Sequence, residues 1–409
     1  MSEARIRARA DDVARAAYGK LIAVLASRSG DIMAAEDALS EAFMAALRTW
    51  PVDGIPERPE AWLTTVAKNK RIDQARKDAR LVVTDEVPDM ADPATLTALP
   101  IDTGEALDER LKLLFVCAHP AIDAGIRTPL MLQTVLGLEA DEIARAFLAS
   151  PAAMAQRLVR AKRKIKAAGI PFNIPDASEY PDRMGSVLEA VYGAFAVDWL
   201  EGAGNLSHEA YFLATILAGL APDDGEALGL AALIGFVEAR RDARLKDGVL
   251  VPVPEQDTAL WDQTLIDRSA SLLSKAARLG GIGRFQLEAA IQAVHATRAV
   301  TGKTDWRALS KLYAGLLGKF PTIGAAVSRA AAVAEDAGPR EALKLLARID
   351  FPGLDLYQPA HAVRAHCLTH LGQNADAALA YSKAITLAKD APSRRFLEKK
   401  LSDLRKKMS

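Results

Sequence analysis

Apolar residues recur every three or four positions through most of this 409-residue chain, and glycine and proline punctuate the pattern. In a first block, from about Glu3 to Arg80, Val13, Tyr18, Leu21, Ile22 and Leu25 fall at helical spacing until Gly30-Asp31 interrupts them. The next helix carries Ala38, Leu39, Ala42, Phe43, Ala46 and Leu47 on its apolar side and Glu36, Asp37 and Glu41 on an acidic one. Pro51, Pro56 and Pro59 are expected to end that helix and stiffen a loop over Pro51 to Pro59. A third helix, Glu60 to Arg80, mixes Trp62, Leu63, Val66 and Ile72 with Lys68, Lys70, Arg71, Arg76, Lys77 and Arg80.

Residues 82–104 lose the helical period, gain acidic residues and prolines, and read as an extended linker. A second helical block follows, Glu105 to Gly169. Within it a short helix, Ala140 to Leu148, precedes the turn Ala149-Ser150-Pro151 and the helix of Ser150 to Lys166. Ser150 suits the N-cap and Pro151 the first helical position. Met154, Leu158, Ala161 and Ile165 then form one buried stripe. After a proline-marked junction at 171–181, helices resume at Asp182. Breaks are expected at Gly202–Gly204, Pro222, Pro252–Pro254, Gly280–Gly283, Pro321, Pro339 and Pro352. In the last unit, Gly372, Ala377, Tyr381 and Ala384 occupy small and aromatic packing positions of a repeat-like helix pair. Its first arm is Pro359 to Leu371, and it is expected to pack on Pro339 to Ile349. The fold class is all-α, with domains at 1–81, 105–170 and 182–409.

Charge balances at 52 basic and 52 acidic residues, so the basic character of Ser150 to Lys166 is local. That segment holds six Lys/Arg and no acidic residue. A short helix, a tight turn and a basic helix form a helix-turn-helix, and a basic stripe on one helix points to nucleic acid. Gln156, Arg157, Arg160 and Lys164 are expected to face a groove, where Arg pairs with guanine and Gln with adenine. Lys162, Arg163 and Lys166 are expected at phosphates. The alternative for this face is an ordinary solvated helix. The basic helix with Trp62, Asn69 and Lys70 suits single-stranded DNA, unless Trp62 is simply core.

Other chemistry is thin. The sequence contains no Walker loop, HExxH, nucleophile elbow or dinucleotide fingerprint, so no enzyme is expected. Gly280–Gly283 reads as a helix break. His366 and His370, four apart near His361 and Cys367, carry too little convergence for a metal; no metal or cofactor is expected. Cys117 reads as a small buried residue. Two cysteines far apart, a charged N-terminus and no long apolar run point to the cytoplasm and away from a membrane.

The succession EDALSEAF, proline-rich loop, PEAWLTTVAKNKRIDQAR, acidic linker and basic helix-turn-helix over residues 1–170 resembles sigma-70-family factors of the extracytoplasmic-function type. The resemblance implies two partners, core RNA polymerase (through the clamp of its β′ subunit) and promoter DNA. It assigns Asp37, Glu41 and Phe43 to the polymerase-binding helix of region 2. Trp62, Asn69, Lys70 and Arg76, with Asp73, fall on the helix that reads and opens the −10 element. Ser150, Gln156, Arg157, Arg160 and Lys164 fall in the region 4 helix-turn-helix that reads the −35 element. Ser40 stands where the family usually has Gln, and Ala155 where a basic residue is common.

The remainder, through segments such as EALGLAALIGFVEARRDARLKDGVLVPVPEQDTALWD and the terminal helix pair, resembles the long helical, tetratricopeptide-like extension of one sigma-factor group. AVYGAFAVDWL departs from that group's usual Asn-Glu-Gly-Tyr ending. The resemblance implies a regulatory C-terminal domain, about 339–409 being its tetratricopeptide-like end, that docks on the sigma domains. Two alternatives stay open: a tetratricopeptide-like scaffold for a protein partner, and a standalone helix-turn-helix regulator acting without polymerase.

Overall fold

A computed structural model of the chain describes residues 17–81, 103–147, 149–201 and 205–408, with the backbone alone for 71–81, 103–108, 198–201, 205 and 408. Of the expected linker at 82–104, residues 82–102 lie outside the described residues, whereas Thr103 and Gly104 already belong to the next helix; the break expected at Gly202–Gly204 also lies outside them. The architecture is all-α apart from one minimal hairpin. The chain divides into two compact units, Met1–Ala194 and Phe195–Ser409.

The first unit begins with α1 over 17–29, α2 (Ile32–Asp53) and α3 (Pro59–Leu81). Gly30, at φ 65°, ends α1, and the Asp31 carboxylate caps α2 by accepting from the Ala34 amide. The loop expected from Pro51 onward starts later, because α2 runs through Pro51 to Asp53. Pro51 forfeits one backbone bond, but buried Trp50 anchors the last turn, and its carbonyl accepts from the amide of Gly54 at φ 87°. Leu21, Ile22, Leu25, Ile32, Leu39, Trp50 and Leu63 form the core of these three helices.

The unit continues with α4 (Thr103–Cys117), α5 (Ala124–Thr134), α6 (Ala140–Ala146), α7 (Pro151–Ala167) and the start of α8 (Tyr180–Glu201). Leu113, Leu114, Phe115, Leu130, Ile143, Met154, Leu158 and Val187 are buried among them. At the α1 face, a Cβ on Gly19 would overlap the Val135 carbonyl oxygen, so glycine sets how closely this backbone approaches α1. The Tyr18 ring lies beside Gly137, on the same face.

In the second unit α9 (Asn205–Leu220) leads to α10 (Gly225–Glu238), whose residues 227–236 are all buried. A helix apolar on every side is a central helix. After it comes a feature the all-helical expectation lacked: β1 (Leu245–Lys246) pairs antiparallel with β2 (Val249–Leu250) through Asp247-Gly248, both at positive φ. Then follow α11 (Gln263–Arg278), α12 (Arg284–Ala296), α13 (Arg298–Thr301), α14 (Trp306–Lys319), α15 (Ile323–Asp336), α16 (Pro339–Leu346), α17 (Gln358–His370), α18 (Asn374–Leu387) and α19 (Ala391–Met408). The Glu226 carboxylate on α10 accepts from the Phe285 and Gln286 amides. The start of α12, just after the Gly280–Gly283 break, is thereby capped by a side chain from another helix. Ala377, Tyr381 and Ala384 are buried with Leu397 and Leu401, and Leu343 of α16 packs against them, as the spacing predicts.

Candidate nucleic-acid interface

The segment α6–turn–α7 is built by local capping. The Glu142 carboxylate accepts from the Glu139 amide at 2.7 Å, and the Ser150 hydroxyl accepts from the Ala153 amide at 3.3 Å, with Pro151 at the first helical position of α7. The expected end of α6 at Leu148 is two residues too long, since Phe147 already leaves the helix. Ser150 therefore serves as a cap whose own backbone lies at the turn.

Helix α7 has two faces. Met154, Leu158, Ala161 and Ile165 are buried, as their spacing predicts. Gln156, Arg160, Arg163 and Lys164 are exposed, and Arg157 is half-buried. The Arg157 Nη2 donates to the Gly125 carbonyl at 3.0 Å, which fixes the guanidinium. Arg157, Arg160 and Lys164 line a groove of about 380 Å³ together with Ile122, Ile126 and Ala161 and a single carboxylate, Asp123. Positively charged side chains over an apolar floor on an otherwise open helix face can meet phosphates and base edges together.

Two of the residues expected at phosphates are engaged elsewhere. Lys162 is only 6% exposed and donates to Glu36 Oε1 on α2 at 2.5 Å, and the Tyr18 hydroxyl reaches the same oxygen at 3.5 Å. Lys166 pairs with Asp31, the cap of α2, at 2.6 Å. Sequence alone counted six cations on one helix; the fold turns these two toward α2 as a clasp. The electrostatics follow. Burial pushes the Asp31 carboxyl up, but the Lys166 ammonium and the amides of Ala34 and Met33 outweigh it and hold the group below its ordinary value. Burial raises the Tyr18 phenol, and Glu36 adds to the effect. The Cys117 thiol, in contact with Thr134 Oγ1, is pushed up to about 12 by burial.

Asp37 and Glu41 stand exposed on α2, and Phe43 is half-buried beside them. Sequence reading placed Leu47 on the apolar side and passed over Met44. In the fold Met44 is 58% and Leu47 48% exposed, in line with Asp37 and Glu41. The spacing of Asp37, Glu41 and Met44 could have found this acidic–apolar stripe, because it repeats at i, i+4 and i+7, with Leu47 adjoining at i+10. Lys70 of α3 pairs with Glu41 at 3.7 Å. Trp62 is half-buried and edge-on to Trp50 at 5.6 Å, so it is both packed and reachable. Asn69 is exposed. The side chains of Asp73 and Arg76 lie outside the described residues.

Among the described residues no three His, Cys, Asp or Glu side chains gather as metal ligands. His366 instead contacts Glu335 at 3.0 Å and lies tilted beside His370, with ring centroids 4.4 Å apart, and Cys117 and Cys367 are free buried thiols. Among the described residues no helix is long and apolar enough to cross a membrane.

Residues 13–81, which contain α1, α2 and α3, match sigma-70 region 2. That segment is therefore similar to region 2 of the sigma-70 family. The matched segment holds the Asp37–Glu41 stripe, Trp62 and Asn69. Residues 183–277 match a family of unknown function, DUF6596. Along most of its length the chain is similar to an uncharacterized protein, R00370, of Rhizobium meliloti (strain 1021). The two are 36% identical over 380 residues, 90% of each chain. No solved structure matches the chain.

Proposed function

We propose that this chain is a sigma-70 family RNA polymerase specificity subunit of the extracytoplasmic-function type, directing initiation at particular promoters. The observation that carries the reading is the pairing of a region 2 match with a second, separate helix whose exposed face is cationic. In this reading the stripe of Asp37, Glu41, Met44 and Leu47, flanked by Phe43, docks on the β′ clamp of core polymerase. Its exposed apolar residues supply area and its carboxylates supply register. Trp62, Asn69 and Lys70, with Arg76, face the −10 element, where an unstacked base lodges against the aromatic ring. Ser150, Gln156, Arg157, Arg160 and Lys164 form the −35 reader; Arg157 is already oriented by the Gly125 carbonyl. The segment 82–104 spaces the two domains, and the helical domain from 182 onward, with its tetratricopeptide-like end, acts as a fused regulator that docks on them. The protein works in the cytoplasm and needs no cofactor.

The test is association. The full chain is mixed with core RNA polymerase and run on size exclusion. Co-elution of the wild type, lost in a Glu41→Arg/Met44→Glu variant of unchanged helicity, supports the reading. Failure of the wild type to co-elute overturns it.

A further inference from the structure

The second unit contains charge that the sigma reading does not use. Arg240, at the end of α10, is 4% exposed. Its guanidinium lies 5.8 Å from the Trp261 ring centroid, and that of Arg298 lies 5.0 Å from the same ring. Two cations therefore share one indole that is itself 6% exposed. Both are aimed by neutral acceptors. Arg240 Nη2 donates to Gln292 Oε1, and Arg298 Nη2 donates to the carbonyls of Val253, at 3.1 Å, and Gln256, at 2.5 Å.

These bonds leave obligate donors over. Arg240 Nη1, Arg298 Nε and Trp261 Nε1 are buried and without a partner among the described residues, and so are Gln256 Oε1 and His295 Nδ1. No ion pair reaches either guanidinium among the described residues. The charges acting on Arg240 are those of Tyr313, which favours its charged form, and Arg298, which opposes it; Asp257 acts on Arg298 alone. Burial comes first in lowering both guanidinium pKa values, that of Arg240 to about 10. Buried charge is ordinarily paired, and a buried N–H ordinarily finds an acceptor. Other buried donors are left over singly in this fold, such as Trp50 Nε1 and Arg329 Nε. Among the described residues, only the Trp261 cluster brings three such donors together with two cations.

We propose that the Arg240–Trp261–Arg298 cluster binds a small-molecule oxyanion, a phosphate or carboxylate group, within the C-terminal half of the chain. The chemistry is that of guanidinium forks, which match oxyanions in shape and charge. Depth selects a small ligand: donors this buried are closed to the surface of a protein or a nucleic acid. Gln256, whose backbone carbonyl accepts from Arg298, also has a buried Oε1 without a partner among the described residues, an acceptor for a hydroxyl on the same molecule. Arg240, Trp261 and Gln256 lie within the span that matches DUF6596, so the site assigns that span a ligand-binding role. The inference is independent of the sigma reading.

The experiment uses the full chain at pH 7.5 and fixed ionic strength, titrated with inorganic phosphate, with acetate, and with chloride as control. Thermal melting and calorimetry are the readouts. Phosphate also stabilises proteins by exclusion from their surfaces, so saturation and loss in a variant decide the matter. The expected result is a saturable rise in Tm with phosphate or acetate beyond that with chloride. Arg298→Gln, which keeps N–H donors toward the Val253 and Gln256 carbonyls, weakens the apparent Kd about ten-fold or more. Arg240→Met, if it folds, abolishes saturation. Phosphate and acetate acting no better than chloride, or an unchanged Kd in Arg298→Gln, overturns the proposal. Which of the two anions saturates at the lower concentration assigns the group.

Discussion

Replacing Lys162 by Met removes one half of the α2–α7 clasp and leaves Glu36 facing the space its partner filled. The Lys162 side chain is almost wholly buried, whereas Glu36 keeps about a fifth of its surface in solvent. The loss therefore falls below the roughly 3–5 kcal/mol of a fully buried pair. A charge-assisted bond, at about 1.5–3 kcal/mol, is the appropriate scale. Glu36→Gln in the same background should recover part of it, because the remaining carboxylate no longer lacks its cation. Lys164→Met, on the exposed face, is the control and should lie within about 0.5 kcal/mol of wild type. Cys117 offers a local assay: it is buried in the same unit, near both Lys162 and Glu36. With Cys367 replaced by Ala, the rate at which a thiol reagent labels Cys117 measures opening of that unit alone. The stability loss corresponds to labelling about 10- to 150-fold faster in Lys162→Met. Equal labelling rates in the Lys162→Met and Lys164→Met chains would refute the clasp.

Gly19→Ala should destabilise the first unit by about 1–3 kcal/mol or more, read by the same thiol assay, since the new Cβ meets a backbone oxygen that cannot rotate away. Arg157→Ala with Arg160→Ala should remove −35-dependent initiation while leaving polymerase association intact; promoter use equal to wild type contradicts the assignment of α7. His295 is held down to about 4 by burial first, and by Arg240 and Arg298 second. Its folded value lies below its unfolded one, so the unfolded chain takes up the proton first as pH falls below about 6.5, and stability is lost in that direction. Melting of the second unit should weaken between about pH 6.5 and 4, at no more than about 1.4 kcal/mol per pH unit. His295→Asn should flatten the curve, and an equally steep profile in the variant contradicts the assignment.

Much of this was legible where local pattern and tertiary role coincide. The Met154, Leu158, Ala161 and Ile165 stripe, the Ser150 cap and the packing of Ala377, Tyr381 and Ala384 follow from helical period and capping chemistry. Pro51 was misjudged because its cost is local whereas the burial of Trp50, which outweighs it, is tertiary. The hairpin at Asp247-Gly248 carried a turn signal, but two-residue strands have no period to detect. Lys162 and Lys166 could not be told from Arg160 and Lys164 by composition, since only the acidic start of α2 distinguishes them. Arg240, inside Ala239-Arg240-Arg241-Asp242-Ala243-Arg244, reads as surface charge; its contacts, Gln292 of α12 and the Trp261 ring, come from further along the chain.

The central claim is that this chain acts as a sigma factor and selects promoters for polymerase. Run-off transcription on a library of genomic fragments, with core enzyme and the purified full-length protein, tests it most directly. The account predicts discrete transcripts that are absent with core alone and vanish with the Arg157→Ala/Arg160→Ala chain. Identical transcript patterns with and without the protein would contradict it.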